Sequence, residues 1–340
     1  MTHVGLIGAG NISDTHARAA AAIPGVAVAA VYAPTRERAQ RLASRFGAEA
    51  YDTLDGLLDH RPLDMVAIGS PSGHHAEHGI AAASRGLHVL VEKPIDVSVA
   101  RADALIAEAD RKHVTLAVIF QDRLKPDARQ VKALIDAGKL GTPILATGHV
   151  KWYRPPEYYG ESRWRGTREL DGGGALINQG IHTVDLLLWL FGPVRRVFAR
   201  AGTKLHQIEV EDTVVATLEF ANGALGTLEA ATSAYPGYSR RLELTGSEGT
   251  VVIDGDTLTT IDLRGASASE RSGRAAPATA SASSPVVADA AAHQRVFEDF
   301  LHAIATRTAP ACDGREGRRS VELVEAIYDS ARTDRLVELP

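Results

Sequence analysis

The chain has 340 residues, 45% of them hydrophobic and 23% charged, so its composition is that of an ordinary globular protein and its length fits two domains. The formal net charge of -5 gives no general attraction to nucleic acid or an anionic membrane, and a single cysteine, Cys312, excludes internal disulfides and thiolate metal clusters. No apolar run approaches the roughly 18 residues of a membrane span, and Met1 leads into a predicted strand without a signal peptide, so a cytoplasmic location is expected.

The first part of the chain alternates short apolar runs with helical patterns. The runs are rich in β-branched residues and nearly continuous, as in strands that are buried on both faces. This alternation predicts a doubly wound parallel sheet in a dinucleotide-binding domain over residues 1–122. The predicted strands are Val4–Gly8, Val26–Tyr32, Met65–Gly69, His88–Val91 and Thr115–Phe120, and the predicted helices lie near 13–22, 36–46, 76–85 and 98–112.

A different pattern predicts a second domain over residues 123–340. Several strands follow one another without helices between them, which indicates a largely antiparallel sheet, and Asn222-Gly223 is typical of a hairpin turn. Residues 265–289 are rich in Ala, Ser and Gly and are predicted to form a loop. The predicted strands are 143–153, 195–203, 212–220, 224–234, 240–246 and 249–254, and the predicted helices are 127–137, 174–191, 290–306 and 317–332.

A glycine-rich segment, Gly8-Ala9-Gly10-Asn11-Ile12-Ser13, follows the first predicted strand and begins the first helix. Gly8 permits a tight turn and Gly10 lets the backbone approach a pyrophosphate, to which the helix N-terminus offers N–H groups. Ser13 replaces the third glycine of the dinucleotide fingerprint. The strand and helix around the segment still predict a dinucleotide site. A flavin site, an S-adenosylmethionine site and a glycine turn without function are the alternatives.

The choice of cofactor depends on the end of the second strand. NAD enzymes usually carry Asp or Glu there to bind the ribose 2′-hydroxyl, whereas Ala33 or Pro34 fills that position in this chain. Thr35, Arg36 and Arg38 follow, and these side chains are able to bind a 2′-phosphate. The alternative is that these arginines contact only water, as arginines at the start of a helix often do. The pattern favours NADP over NAD.

Polar residues follow two of the predicted parallel strands, where ligands of open α/β sheets bind. One strand ends in Glu92-Lys93-Pro94, and another is followed by Ser70-Pro71 and a group of histidines. Those histidines have neither the spacing nor the companion ligands of a metal site, so no metal is predicted. The candidate cofactor-binding residues are Gly8, Gly10, Asn11, Ile12, Thr35, Arg36, Ser70, Pro71, His75, Glu92 and Lys93.

A second glycine run, Asp171-Gly172-Gly173-Gly174, precedes the long helix predicted at 174–191. Asn178 and His182 are four residues apart, so they share one face of that helix, and Asp185 is three residues further on, where it can orient the imidazole. A buried structural histidine is the alternative. The glycine-rich start and the polar stripe on an otherwise apolar helix favour a functional site.

Aromatic and arginine residues are concentrated between 151 and 168. Aromatic rings stack on the C–H faces of sugars, and arginines bind carboxylate or phosphate groups. An ordinary loop surface or a protein interface is the alternative explanation. Trp164 and Arg165 are the candidate substrate-binding pair.

Taken together, these motifs resemble the Gfo/Idh/MocA family, named after glucose–fructose oxidoreductase, inositol dehydrogenase and a rhizopine catabolism protein. The segment from Gly8 to Ile12, the Glu92-Lys93-Pro94 motif and the segment from Gly172 to Asp185 occur in the family's order and spacing. The resemblance covers essentially the whole chain. It implies an N-terminal Rossmann domain and a C-terminal α/β domain with an open, mostly antiparallel sheet. The exposed face of that sheet often serves oligomerisation in the family, which implies a homodimer or homotetramer.

The resemblance also implies roles for single residues. Lys93 corresponds to the active-site lysine, His182 to the histidine acid/base, and His75 to a histidine in the loop that passes the cofactor. Asn178 stands where many members carry Asp, so it is expected to position substrate but not to relay a proton. The Asn-Gln-Gly-Ile-His version of this motif is similar to that of members acting on nucleotide-linked N-acetyl sugars or sugar acids.

The expected function is therefore an NAD(P)-dependent dehydrogenase or reductase acting on CH–OH groups. It would move a hydride between nicotinamide and a secondary alcohol or ketone of a sugar, sugar acid, nucleotide sugar or cyclitol, with Lys93, His182 and Asn178 in the catalytic site. An NAD-dependent glycosidase of the same family, a non-catalytic dinucleotide-binding regulator and a structural subunit are the alternatives.

Overall fold

The computed structural model describes residues 1–265 and 290–340, which form two compact units. The first unit holds residues 1–124 and 290–318, and the second holds residues 125–265 and 319–340. The loop predicted at 265–289 lies outside the described residues, apart from Gly265. No helix of the described ranges combines the length and the hydropathy needed to cross a membrane.

In the first unit the described strands form a six-stranded sheet in the order β3-β2-β1-β4-β5-β6, and all neighbours are parallel. The strand order reverses at β1, which is the switch point where dinucleotides bind in such sheets. The doubly wound parallel sheet is thus confirmed. The strands are β1 (Thr2–Ile7), β2 (Val26–Tyr32), β3 (Glu49–Tyr51), β4 (Met65–Ile68), β5 (His88–Glu92) and β6 (Leu116–Ile119).

The helices of the first unit follow the predicted alternation closely. The short helix α3 and the strand β3 are not predicted, because elements of five and three residues carry no clear periodicity. The helices are α1 (Asn11–Ala21), α2 (Arg36–Ala43), α3 (Leu54–Leu58), α4 (His75–Ser84), α5 (Val99–Lys112) and, from the C-terminal part of the chain, α9 (Ala291–Thr306).

Helix α9 belongs to the first unit, although the division at residue 122 assigns it to the second domain. The reason is its apolar stripe. Val296, Phe297 and Phe300 are buried in one hydrophobic cluster with Leu6 of β1 and Ala17 of α1. Burying each aromatic ring contributes roughly 1.5–3 kcal/mol, so α9 packs against this sheet although it begins 172 residues after the end of β6.

The second unit contains, among the described residues, an eight-stranded sheet in the order β13-β12-β11-β7-β10-β9-β8-β14. Only β7 and β10 pair in parallel, so the mostly antiparallel sheet is confirmed. Strands β13 and β14 are not predicted. The strands are β7 (Pro143–Lys151), β8 (Val194–Gly202), β9 (Thr213–Phe220), β10 (Leu225–Ala231), β11 (Arg241–Gly246), β12 (Gly249–Asp254), β13 (Thr257–Leu263) and β14 (Val337–Glu338).

One face of this sheet packs against helix α8, and Gly148 of β7 makes the close approach possible. A Cβ on Gly148 would lie 2.8 Å from Thr183 Cγ2 and 3.0 Å from Leu187 Cδ1. The helices of the unit are α6 (Pro126–Asp136), α7 (Glu157–Gly160), α8 (Ile181–Phe191) and α10 (Gly314–Thr333), the last of which begins in the first unit.

The opposite face of the sheet carries exposed apolar side chains. Leu145, Val215 and Leu225 are 44%, 48% and 59% exposed. Leu225 lies directly beside Leu145 in the ladder of β10 and β7. This face is therefore not covered by the described part of its own unit.

Candidate cofactor and substrate sites

The turn after β1 needs a glycine at one position and not at the other. Gly8 has φ of 113°, and a Cβ there would lie 2.7 Å from the carbonyl oxygen of Gly69. Gly10 has an extended backbone that any residue adopts, and its Cβ would meet no atom within 4 Å. The fold requires the first glycine. The second leaves open space beside the start of α1, as a close-lying pyrophosphate requires.

Helix α1 begins directly after Gly10, and no side chain of the described residues caps its first turn. Asn11 is exposed and Ile12 is half-buried at this end. Ser13, which replaces the third glycine of the fingerprint, is buried against Gly69, whose Cβ would lie 2.9 Å from Ser13 Oγ. Ser13 fits because Gly69 has no side chain. The close packing of helix against strand that the fingerprint requires is preserved.

The end of β2 carries no carboxylate at the expected position. Ala33 is buried, and the segment from Pro34 to Arg38 is exposed. Thr35 is the N-cap residue of α2, and Arg36 begins the helix. The two exposed cations of this turn, Arg36 and Arg38, therefore lie where the 2′-position of a bound ribose is recognised in such folds.

The buried ring of His75 connects the loops that follow β4 and β5. Its Nε2 lies 2.9 Å from the carbonyl oxygen of Ser70, and its Nδ1 lies 2.7 Å from that of Pro94. Burial lowers the pKa of His75, although the two carbonyls favour its protonated form. Ser70 also bonds His78 through its hydroxyl group, at 2.9 Å.

Glu92 ends β5 with its side chain turned inward. Its Oε1 lies 3.0 Å from His16 Nε2 and 3.6 Å from His293 Nε2, and its Oε2 accepts a hydrogen bond from the backbone N–H of Lys93 at 3.1 Å. Burial alone would raise the pKa of the Glu92 carboxyl, but the hydrogen bonds from the two histidines outweigh it and hold that pKa well below its usual range. Lys93 is half-buried at the carboxyl edge of the sheet.

The group of His16, Glu92 and His293 offers three atoms that lie within 4.8 Å of one another. Metal-bound histidines nearly always donate their second N–H to an oxygen. The Nδ1 atoms of both histidines are buried without a hydrogen-bond partner in the described structure. The arrangement therefore fits a carboxylate that accepts a hydrogen bond from His16 and lies close to the imidazole of His293 better than it fits a metal centre.

In the second unit, the helix predicted at 174–191 is present over residues 175–191, but its first part, Ala175–Gly180, is a π-helical turn that continues directly into α8. Such turns are rare and often occur at functional sites. Asn178 lies within the π-helical turn, and His182 lies half-buried in the first turn of α8.

The π-helical turn is held by Glu211, whose carboxylate accepts hydrogen bonds from Gly174 N, Leu176 N and the Tyr328 hydroxyl, each at 2.9 Å. A Cβ on Gly173 would lie 2.2 Å from the Tyr328 hydroxyl, and one on Gly174 would lie 1.8 Å from the Glu211 carbonyl oxygen. Burial raises the pKa of Glu211 and of Tyr328. The glycine run thus serves close packing, and the Gly174 N–H is engaged inside the protein.

The Asn178 carboxamide is oriented at both ends. Its Nδ2 donates a short hydrogen bond to Asp171, and its Oδ1 accepts one from Gln179 Nε2 at 2.7 Å. Gln179 in turn bonds the Tyr158 hydroxyl at 2.9 Å and accepts from Arg154 Nη2 at 3.1 Å. The network fixes Asn178 as a positioned polar group next to the helix that carries His182.

Two guanidinium groups stack on aromatic rings beside this network. Arg165 lies 4.5 Å from the ring centroid of Tyr158 and 5.2 Å from that of Trp164. Arg154, only 1% exposed, lies 4.9 Å from the ring of Trp152 and 5.6 Å from that of Tyr158. Burial lowers the pKa of Arg154, and the neighbouring charge of Arg165 adds to this effect. Positive charge is concentrated here on a rigid aromatic support.

Two family models match most of this architecture. Residues 2–120 match the oxidoreductase family with an NAD-binding Rossmann fold, and residues 128–252 match the GFO/IDH/MocA C-terminal domain. The chain belongs to the Gfo/Idh/MocA family. The predicted resemblance is therefore confirmed over both units.

Similar proteins are dehydrogenases of sugar-like compounds. The WlbA dehydrogenase of Bordetella pertussis, solved in complex with NADH and UDP-GlcNAcA, is 32% identical with a TM-score of 0.87 over 100% of this chain and 99% of that one. Myo-inositol 2-dehydrogenase of Thermotoga maritima is 29% identical over 76% of this chain and 77% of its own length. The NADP(+)-dependent D-xylose 1-dehydrogenase 2 of Haloferax volcanii is 28% identical over 92% and 91% of the two chains.

These relatives confirm the predicted enzyme class. This Gfo/Idh/MocA protein is an NAD(P)-dependent dehydrogenase that acts on CH–OH groups, with an NAD-binding Rossmann fold in its first unit.

Several side chains that support the site of this Gfo/Idh/MocA protein are missed by sequence reasoning. His16 and His293 are separated by most of the chain, and Glu211 and Tyr328 are 117 residues apart. One signal is available for His16, since it is a polar residue on the buried, alanine-rich face of α1. Glu211 has a weaker signal, since it is an acidic residue directly before the predicted strand 212–220.

Proposed function

We propose that this Gfo/Idh/MocA protein transfers hydride between nicotinamide and a secondary alcohol carbon of a sugar-type substrate, with Lys93 and His182 as its catalytic side chains. The proposal is carried by the position of Lys93. This residue is half-buried at the carboxyl end of β5, in the same sheet whose β1 ends in the Gly8–Gly10 turn. Ligands of doubly wound sheets bind at this edge.

The proposed chemistry follows from the two side-chain types. Nicotinamide, when bound, would supply the acceptor for the hydride that leaves the carbinol carbon. His182 takes the hydroxyl proton as general base, because an imidazole pKa lies near operating pH. Lys93 donates a hydrogen bond to the same oxygen and stabilises its alkoxide character. Asn178 holds a neighbouring hydroxyl group in the orientation set by Asp171 and Gln179. Carbonyl reduction uses the same groups in reverse.

The residues of the first unit fit a dinucleotide, because Gly10 leaves a space that the fold itself does not need. We propose that NADP is preferred over NAD, since no carboxylate follows β2 and two exposed arginines do. The proposed cofactor-binding residues are Gly8, Gly10, Asn11, Ile12, Thr35, Arg36, Ser70, Pro71, His75 and Lys93. Glu92 is predicted from the sequence as a further contact, but its side chain is turned inward towards His16 and His293, so we propose that it supports this site without touching the cofactor.

Trp164 and Arg165 are the proposed substrate contacts of the second unit. The Arg165 guanidinium is held against two rings, and its Nε is buried without a hydrogen-bond partner in the described structure. Arg154 and Arg165 both lie against the ring of Tyr158, and their combined positive charge favours a substrate that carries a carboxylate over a neutral sugar. WlbA, solved in complex with UDP-GlcNAcA, is a precedent.

The test is a substrate panel read by nicotinamide absorbance with NAD and NADP. Methyl glucoside and methyl glucuronide form a matched pair that differs in the carboxylate, and myo-inositol and UDP-GlcNAcA extend the panel. Turnover of at least one compound is expected, with the acid of the matched pair preferred. Loss of this preference in Arg165→Met would assign it to the guanidinium.

The same panel distinguishes the other activities. Cleavage of a glycoside without net change in nicotinamide would identify an NAD-dependent glycosidase, and tight cofactor binding without any turnover would identify a regulator. Either result contradicts the proposed dehydrogenase chemistry. Equal turnover of glucoside and glucuronide contradicts only the preference for a carboxylate.

We propose further that the exposed apolar face of the second sheet is an interface between copies of the chain, in a homodimer or homotetramer. Exposed Leu145 and Leu225, which lie side by side in the ladder of β7 and β10, support this, and Val215 is a separate exposed apolar residue on the same face. Sedimentation velocity tests it, and Val215→Lys is expected to lower the mass of the species. A native monomer would contradict it.

A further inference from the structure

A buried carboxylate connects three elements of the first unit. His16 lies on α1, Glu92 at the end of β5 and His293 in the first turn of α9, and their residues are 0%, 6% and 2% exposed. The two imidazole nitrogens that face Glu92 Oε1 lie at 3.0 and 3.6 Å from it. A buried charge without a partner is strongly destabilising. We therefore expect the contacts of Glu92 with His16 and His293 to persist as long as the first unit is folded.

The hydrogen-bond directions in the cluster follow from the charge of the carboxylate. An ionised carboxylate only accepts, so His16 donates from Nε2 at 3.0 Å, while Nε2 of His293 faces the same oxygen at the longer distance of 3.6 Å. Burial lowers the pKa of His16, which favours its neutral form with the single ring proton on Nε2. The Nδ1 atoms have no hydrogen-bond partner in the described structure, which agrees with this tautomer. The second oxygen of Glu92 remains available to a further donor.

That further donor is the backbone of Lys93. The N–H of Lys93 bonds Glu92 Oε2 at 3.1 Å, and the carbonyl of the next residue, Pro94, is held by His75 at 2.7 Å. The main chain is thus fixed on both sides of the point from which the Lys93 side chain extends. Both hydrogen bonds, from Lys93 N to Glu92 and between His75 and the Pro94 carbonyl, are made between groups of the chain itself, so neither needs a contact with the cofactor.

We infer that Glu92, held by His16 and His293, is the positioning residue for Lys93 and affects turnover only through that lysine. The inference rests on the proposed function, in which Lys93 donates to the substrate oxygen. A displacement of about 1 Å in a catalytic donor lowers the rate on the order of a hundredfold. The cluster therefore acts through geometry, without contact to substrate.

Glu92→Gln is the first variant, because it keeps the shape of the side chain and replaces one acceptor oxygen with a donor. We expect kcat to fall about tenfold to hundredfold, while KM and the Kd of the nicotinamide change less than about threefold. His88→Asn is the control. His88 lies at the other end of β5, where it accepts a hydrogen bond from Thr115 N at 3.0 Å, and the variant should retain native turnover.

A double-mutant cycle with Lys93→Met separates positioning from a general structural effect. In the Lys93→Met background, Glu92→Gln should cause no further loss of kcat, measured in single turnovers with enzyme in excess. If the double variant instead shows the product of the two single-variant losses of kcat, the inference is overturned. Native turnover of Glu92→Gln when Lys93→Met is inactive overturns it as well, and that result leaves the proposed function standing. A fully active Lys93→Met enzyme overturns the proposed function itself.

A second pair of variants applies if Glu92→Gln fails to fold. His293→Gln keeps an N–H donor near the position of Nε2, whereas His293→Ala removes it. We expect His293→Gln to retain most of the native kcat and His293→Ala to lose it, with nicotinamide affinity unchanged in both. Equal kcat in the two variants would contradict the positioning role.

Discussion

The Nε2 atom of His16 lies 3.0 Å from Oε1 of Glu92, and both side chains are buried. The contact joins helix α1, which starts at the phosphate-binding turn, to the end of β5, which leads into Lys93. Since the pKa of Glu92 is held below its unfolded value, the stabilisation is present above about pH 4.3 and is lost as the pH falls through the lowered folded-state pKa.

Buried histidines predict a second, milder loss of stability in weak acid. Burial lowers the pKa of His16 and of His75, and it lowers that of His78 to about 4. Below about pH 6.5 the unfolded chain binds protons that the folded chain does not, so the free energy of unfolding falls as pH falls. For His78 the slope is about 1.4 kcal/mol per pH unit, and it levels off near pH 4. Urea unfolding of His78→Asn should show a slope smaller by this amount, and an unchanged slope would contradict the prediction.

The two glycines of the phosphate-binding turn should respond differently to substitution. Gly8→Ala is expected to destabilise the fold, because φ is 113° and the Cβ would lie 2.7 Å from a carbonyl oxygen. Gly10→Val should leave the melting temperature within about 2 °C, which corresponds to less than about 1 kcal/mol, and abolish nicotinamide binding in calorimetry. Native affinity in a folded Gly10→Val protein would remove the cofactor assignment.

Arg36 should contribute to the choice between cofactors. If its guanidinium binds the 2′-phosphate, Arg36→Gln should weaken NADPH binding about tenfold or more, the equivalent of one charge-assisted hydrogen bond of 1.5–3 kcal/mol, and leave NADH affinity unchanged. The Kd values of both cofactors, measured by fluorescence titration, test this. Arg41→Gln, at the other end of α2, is the control. Tighter native binding of NADH than NADPH would show that the arginines are only solvated.

Lys93 and His182 should affect the transition state more than cofactor binding. Lys93→Met and His182→Asn are each expected to lower kcat by about two to four orders of magnitude, the range for losing a positioned donor or acid/base. The His182 variant should also lose a pH dependence of kcat near neutrality. Steady-state kinetics on a substrate from the panel test this. Loss confined to Lys93→Met would indicate another acid/base, and near-native turnover in both variants would refute the mechanism.

The glycine run before the π-helical turn should be intolerant of any side chain. Gly174→Ala places a Cβ 1.8 Å from the Glu211 carbonyl oxygen, which is backbone and unable to rotate away. We expect destabilisation by at least about 1–3 kcal/mol, the range for overpacking, together with reduced kcat. Gly160→Ala is the matched control, because no atom lies within 4 Å of its Cβ. Equal stability of the two variants, measured by thermal unfolding, would contradict the role given to Glu211.

Most elements of the first unit could be predicted because a strand buried on both faces leaves a continuous apolar run. The run Val26–Tyr32 coincides with β2. The helix predicted at 174–191 is present, but its π-helical first part was not predicted, since a π-helical turn differs from an α-helix only by the hydrogen-bond partners of a few backbone groups, and Glu211 binds the N–H groups at its start. Periodicity reports which face of an element is apolar. It does not report what that face will meet.

The sequence by itself predicted the sheet type, from the alternation of apolar runs and helical patterns, and the enzyme class, from the resemblance of its motifs to the Gfo/Idh/MocA family. Both were accessible because each motif, such as Gly8 to Ile12 or Glu92-Lys93-Pro94, is a short continuous segment of the chain. Only the tertiary structure decided how those residues are supported. His16, Glu92 and His293 meet because α9 packs its apolar stripe into the first unit, more than 200 residues after β5 began. Such contacts depend on the summed burial of whole elements, and no short segment of the chain carries that information.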